Sequence, residues 1–248
     1  MNKSFFTTFL VLILSSCMET NKPLVIGHRG AMGHETENTL KSVQKAMDMG
    51  VDMIEIDVFK IKSGEIVVFH DDTVERLTDG EGDIESYTLS DLQQLTVEGG
   101  HTIPTLKEVL NLVNGKVLLN IELKGENTAA DVNTIIGDYI KGGDWKLTDF
   151  IISSFNWDEL RKMRKVNATI PIAVLTGKEP LDGIPVAKEL DAEAINPSFK
   201  TLNLEVANKI REAGLKIYTW TVNEPNDING MKRIAVDGII TNYPERVQ

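Results

Sequence analysis

The chain has 248 residues, a formal net charge of −11 at pH 7 and a single cysteine, Cys17. That acidity argues against nucleic acid and against electrostatic adhesion to anionic lipid. One cysteine excludes an intramolecular disulfide, so the core alone must hold the fold.

The first residues read as an address. Lys3 precedes an apolar stretch, Phe5 to Leu14, which is too short to span a bilayer and ends in Leu14-Ser15-Ser16-Cys17. A basic end, a short apolar segment and small residues after it predict a secretory signal over residues 1–16. The Leu-Ser-Ser-Cys end resembles a bacterial lipoprotein processing site. That resemblance implies Cys17 as the lipidated first residue of the mature chain and residues 17–22 as a short tether. The expected location is the cell envelope, periplasm-facing or surface. Attachment would come through acyl chains alone, with no protein partner implied.

About 230 residues remain, which suits one large domain over residues 23–248, with no linker, repeat or low-complexity run to divide it. The first predicted strand, 24–27, ends at His28-Arg29-Gly30, setting an imidazole and a guanidinium side by side where they can handle a phosphate. Glu37-Asn38-Thr39 follows; Asn38 or Thr39 reads as a helix cap, and Glu37 is placed to orient Arg29. Leu40, Val43, Ala46 and Met47 then mark one face of a helix stopped by Gly50.

In the strand 53–59, Glu55 and Asp57 share a face, and Ile54, Ile56 and Val58 share the other. No helix fits between this strand and Ile66-Val67-Val68-Phe69-His70. Ser63-Gly64 reads as a two-residue hairpin turn, and pairing Lys62 with Glu65 places His70 directly opposite Asp57. Residues 71–103 form a polar, acidic insertion with a short helical pattern near Leu89 to Leu95, of the kind that shapes or covers a barrel mouth. His34 and His101 fall in loops and read as solvated.

Leu106, Val109, Leu110 and Val113 form another helical stripe, stopped by Gly115. In the strand 117–123, Asn120 and Glu122 share a face with Lys124, while Leu119, Ile121 and Leu123 share the opposite one. Strands follow at 149–154, 170–175, 193–196, 216–221 and 237–241, with a helix over Asn203 to Ala213 before the fourth of these. Eight strands alternating with helices predict a (β/α)8 TIM barrel. A doubly wound sheet is the alternative, and no Gly-x-Gly-x-x-Gly follows the first strand to support it.

In a barrel the outward face must be apolar, so Glu55, Asp57 and Glu122 are expected to point inward near the C-terminal rim. Adjacent buried carboxylates cannot all stay ionised without a cation. An oxygen-only trio suits Ca2+ or Mg2+ and not zinc.

The ordered set of His28-Arg29-Gly30, Glu37-Asn38-Thr39, Glu55-Ile56-Asp57, His70-Asp71 with Thr73, Ile103-Pro104-Thr105-Leu106, Glu122-Leu123-Lys124, Trp220-Thr221-Val222 and Asp237-Gly238-Ile239-Ile240-Thr241 resembles the glycerophosphodiester phosphodiesterase family. The resemblance runs along essentially all of residues 23–248. It implies a TIM barrel with an insertion after the second histidine, and metal-dependent hydrolysis of small-molecule glycerophosphodiesters to sn-glycerol 3-phosphate and an alcohol. By the same resemblance Glu55, Asp57 and Glu122 hold one divalent cation, Ca2+ or Mg2+. His28 and His70 are the acid–base pair, Arg29 and Lys124 bind the phosphate, and Trp220 walls the glycerol pocket. Water and the substrate's 2-hydroxyl both remain open as the nucleophile. Thr36 stands where a proline often precedes Glu-Asn-Thr, and Asn242 where the family commonly has Asp, which puts a rim interaction in question. The alternatives are a phospholipase D or sphingomyelinase-like lipid phosphodiesterase, and a non-catalytic glycerol-phosphate-binding lipoprotein. The first would show apolar side chains at its mouth, and the second would have no use for two histidines.

Overall fold

The computed structural model describes residues 22–248; the expected signal, Cys17 and nearly all of the tether lie outside them. Nine strands are described: β1 (Leu24–His28), β2 (Met53–Lys60), β3 (Ile66–Val68), β4 (Leu118–Leu123), β5 (Phe150–Ser154), β6 (Ile172–Thr176), β7 (Ala194–Pro197), β8 (Lys216–Thr219) and β9 (Gly238–Thr241). Every strand except β3 pairs in parallel with its neighbours, and the β1–β2 and β1–β9 pairings close these eight strands into a barrel. Eight α-helices accompany them: α1 (Leu40–Asp48), α2 (Leu89–Leu92), α3 (Leu106–Val113), α4 (Ala129–Gly142), α5 (Trp157–Val166), α6 (Gly183–Glu189), α7 (Leu204–Glu212) and α8 (Pro225–Arg233). The fold is the expected (β/α)8 TIM barrel.

Local chemistry sets the element ends. Thr39 caps α1 by accepting from the Ser42 N–H, Thr105 and Glu108 form a reciprocal capping box on α3, and Asn203 caps α7. The α3 helix ends on Asn114 in the left-handed conformation, one residue before the Gly115 expected to stop it. Strand β8 stops at Thr219, so Trp220 lies just past it, bridged to Ser198.

The period of two sorts the strand residues into two cores. Outward residues such as Ile54, Ile56, Leu119, Ile121 and Ile152 pack under the helices. Inward residues Ile26, Met53, Ile151, Ala173, Ala194, Tyr218 and Ile240 fill the barrel floor. Above that floor the inward side chains turn polar.

The hairpin departs from the predicted register by one residue. Its loop has three residues, Lys62 to Gly64, with Gly64 at φ 100° and the Gly64 N–H donating to the Ile61 carbonyl. Val58 then pairs with Val68, and the Phe69 N–H donates to the Asp57 carbonyl. Phe69, not His70, therefore stands opposite Asp57. The third loop residue is glycine in the left-handed region, which converts the two-residue turn into a turn plus bulge. This shift sends Phe69 into a separate apolar cluster with Phe59, Ile61, Val67, Val74, Leu77, Ile84, Leu92, Val97 and Ile103. The insertion thus has its own small core, seated on the hairpin beside the barrel mouth.

Gly30 fixes the first strand's exit. Its φ is +85°, and an added Cβ would lie 2.4 Å from Ser42 Oγ and 2.5 Å from the Ser42 carbonyl carbon. Gly30→Ala therefore combines a left-handed backbone with overpacking, and should cost about 2–4 kcal/mol in equilibrium urea unfolding. A loss below about 0.5 kcal/mol would show that this turn does not need glycine.

Candidate active site

Sheet register stacks the predicted residues at the C-terminal rim. His28 is level with Glu55, Glu55 with Asn120, and Asp57 with Glu122. Ligand oxygens of Glu55, Asp57 and Glu122, all buried, lie within 4.8 Å of one another. A cavity of about 110 Å³ opens beside them, lined in part by His28, Arg29, His70, Lys124 and Trp220. Of the expected site residues within the described chain, all but Asp57 line this cavity.

Each charged group is held by at least one other. Arg29 has φ 51°, its N–H donates to Glu55 Oε2 at 3.0 Å, and its carbonyl accepts from Asn38 N and Ser42 Oγ. The Arg29 side chain reaches Glu37 Oε1 at 2.6 Å and Asp57 Oδ2 at 3.3 Å. Asn38, also left-handed at φ 57°, donates from Nδ2 to Asp57 Oδ2 at 2.9 Å. Its expected capping role falls to Thr39, because its backbone turn aims the amide into the barrel. Lys124 Nζ lies 3.3 Å from both Glu122 Oε1 and His70 Nε2.

The histidines are held at Nδ1. His28 Nδ1 is 2.7 Å from Asn242 Oδ1, and His70 Nδ1 is 2.5 Å from Asp71 Oδ1. Since both partners present acceptor oxygens, each ring donates from Nδ1, which leaves His28 Nε2 4.0 Å from Glu55 Oε2 and sets His70 Nε2 against Lys124 Nζ. The rim contact put in question by Asn242 is therefore made, with a neutral amide in place of a carboxylate. Trp220 donates from Nε1 to the Asn196 carbonyl at 2.8 Å and meets Phe155 edge to face at 5.4 Å.

Ser153, Phe155 and Arg76 escaped sequence reasoning, and Asn120 was placed by it only on the face of Glu122 and Lys124. Asn120 and Ser153 line the cavity and hydrogen-bond to each other at 2.8 Å. Phe155 stands 45% exposed beside Trp220. Arg76, in the insertion, binds Glu37 and Asp71. Ser153 and Phe155 alternate inward on β5 and its extension, which was the available signal; Arg76 had none. His34 is exposed, as expected, lying 3.1 Å from Glu245 Oε2 and edge-on to Tyr243.

The model of the glycerophosphoryl diester phosphodiesterase family matches residues 28–246. The chain belongs to this family. It is 35% identical over 233 residues to a Caldanaerobacter subterraneus glycerophosphodiester phosphodiesterase, covering 90% of this chain and 96% of the relative. It is similar to an Oleispira antarctica phosphodiesterase solved in complex with the product sn-glycerol-3-phosphate, at TM-score 0.83 and 29% identity, covering 91% of this chain and 95% of that one. A Thermotoga maritima glycerophosphodiester phosphodiesterase also matches, at TM-score 0.74 and 29% identity over 90% of this chain and 96% of that one.

Electrostatics show how this family member handles its buried charge. Burial, reinforced by Asp57 and Glu122, raises Glu55 well above the usual carboxylate range. Burial and then Asp57 push Glu122 up to about 7, despite Lys124. Burial and Arg29 lower His28 to about 4, which leaves it neutral at pH 7. Burial opposes the charge on Glu37, yet Arg76 and Arg29 outweigh it and hold that carboxyl below its usual range. The trio carries more negative charge than its surroundings neutralise, and its donors are all hard oxygens. It fits a divalent ion such as Ca2+ or Mg2+.

This frustration has a pH signature. Ionising Glu122 costs stability as pH climbs from about 4.5 to about 7, whereas His28 contributes in the opposite sense, gaining from about 4 to 6.5. The two windows overlap, so cation affinity reads the carboxylates more cleanly than melting temperature does. Below pH 7 an incoming ion must displace the Glu122 proton and any that Glu55 holds, so affinity should fall at least about tenfold per pH unit. Titration calorimetry in two buffers should detect that released proton near pH 6. An affinity that stays flat from pH 5 to 8 would contradict the assignment.

Proposed function

We propose that the protein hydrolyses glycerophosphodiesters to sn-glycerol 3-phosphate and an alcohol in a divalent-metal-assisted reaction, with His28 and His70 moving the protons. The observation that carries the reading is two imidazoles anchored at Nδ1 beside a buried carboxylate trio, in one cavity with Arg29 and Lys124. Family membership and the product bound by the Oleispira relative support the substrate class.

Glu55, Asp57 and Glu122 would hold the ion, which supplies charge neutralisation for the phosphoryl oxygens and the attacking oxygen when bound. Arg29 and Lys124 donate hydrogen bonds to the phosphate, where negative charge grows in the transition state. Arg29 is already fixed by Glu37 and Asp57, so little ordering is left to do on binding.

His28 is the base. Burial and Arg29 keep it neutral, and its Nε2 lies 4.0 Å from Glu55. It accepts the proton of the attacking hydroxyl as the new P–O bond forms. His70 is the acid, entering the step with protons on both ring nitrogens: Nδ1 donates to Asp71, and Lys124, which lies 3.3 Å from Nε2, turns to the phosphate when substrate binds. It gives its Nε2 proton to the alcohol oxygen as the scissile P–O bond breaks. Trp220 and Phe155 form an aromatic corner at the mouth that an organic group can pack against.

Glycerophosphocholine hydrolysis should require Ca2+ or Mg2+ and stop in EDTA. His28→Ala and His70→Ala should each lose about 10²–10⁴-fold in kcat. Glu55→Gln should lose turnover and metal stimulation together; full metal-stimulated turnover in that variant would remove Glu55 from the ligand set. Lysophosphatidylcholine belongs in the same assay because Phe155 is exposed. Absence of glycerol phosphate from any diester, with metal supplied, would refute the reading.

A further inference from the structure

The histidine and the arginine assigned to opposite tasks are tied together by one side chain of the insertion. Arg76 forms a two-pronged contact with Glu37, Nη1 to Oε2 at 3.0 Å and Nη2 to Oε1 at 2.7 Å. Its Nε donates to Asp71 Oδ2. Glu37 uses the same Oε1 to hold Arg29, and Asp71 uses its other oxygen to hold the His70 ring. A continuous chain of charged contacts therefore runs from Asp57 through Arg29, Glu37, Arg76, Asp71, His70 and Lys124 to Glu122. Arg76 is its midpoint.

The backbone around Arg76 is built to keep it there. Val74 and Leu77 are buried in the insertion's apolar cluster, and the Thr78 N–H donates to the Val74 carbonyl. The side chain rises from that turn toward Glu37, which is itself buried. A planar guanidinium with donors on separate edges can grip two carboxylates at fixed angles, whereas an ammonium cannot hold both in one geometry.

We propose that Arg76 is a positioning residue, which sets the phosphate-binding Arg29 through Glu37 and the proton-donating His70 through Asp71. The insertion then does more than border the mouth: its small core supports the side chain that keeps binding and proton transfer in register. This inference rests on the catalytic reading above, and their failures are distinguishable. A wild-type protein that hydrolyses no diester defeats that reading, whereas an active wild type indifferent to Arg76 defeats this inference alone.

The test compares Arg76→Ala and Arg76→Lys with wild type, using glycerophosphocholine and saturating metal. Arg76→Ala should keep a cooperative melt and lose about 10–100-fold in kcat, with a smaller rise in KM. Low millimolar guanidinium chloride should raise kcat of Arg76→Ala and leave wild type unchanged, while an equal concentration of sodium chloride should raise neither. Arg76→Lys should fold and fall between the two. Values of kcat and KM within about twofold of wild type in both variants would overturn the proposal. So would a loss that tracks unfolding and is recovered by neither guanidinium nor lysine, because Arg76 would then be only a strut of the insertion.

Discussion

Three carboxylates buried side by side in a barrel interior set the terms for the rest of this site. Burial disfavours the charged forms of Glu55 and Glu122, and the neighbouring carboxylates add to it, so both hold protons far more tightly than exposed carboxylates do. The protein answers with local cations: Arg29 against Asp57, and Lys124 against Glu122. Counting the groups linked to them, the cations Arg29, Arg76 and Lys124 face the carboxylates Glu37, Glu55, Asp57, Asp71 and Glu122, a deficit that one divalent ion would balance with all of them ionised.

Holding Arg29 in that role shapes the chain after the first strand. Both Arg29 and Asn38 occupy the left-handed region, which costs energy for non-glycine residues. The surroundings over-determine it. Glu55 takes the Arg29 N–H, Asn38 and Ser42 bind its carbonyl, and Gly30 lets α1 approach closely enough to do so. The strain is thus part of how a guanidinium and an amide reach the same carboxylate from one turn.

The barrel was legible in the sequence because its signals are local and repeated. Alternating acids and aliphatic residues in β2 and β4 showed which face turns inward, and helical stripes closed by Gly50 and Gly115 marked the crossings. The catalytic inventory was legible as an ordered set of motifs. The hairpin register was not, because a glycine able to adopt φ 100° allows either a two-residue turn or a turn plus bulge, and the choice displaces every partner by one. Arg76 was invisible for a related reason. Its partners come from the β1–α1 turn and from the residue after His70, and only the folded insertion brings them together. Asn38 looked like a cap because caps and left-handed turns favour the same residue type.

The structure also separates the two imidazoles by environment. His28 is buried against Arg29 and anchored by a neutral amide, while His70 is half-buried and anchored by a carboxylate. The two rings are thus anchored differently, one by a neutral amide and the other by a carboxylate, which suits the opposed proton transfers proposed for them. All of it turns on the carboxylate trio holding a cation. The most direct measurement is anomalous diffraction from crystals grown with Ca2+ or Mn2+. The account predicts a single peak about 2.0–2.6 Å from carboxylate oxygens of Glu55, Asp57 and Glu122. A saturated crystal with no peak among those oxygens, or with the ion bound elsewhere in the cavity, would contradict it.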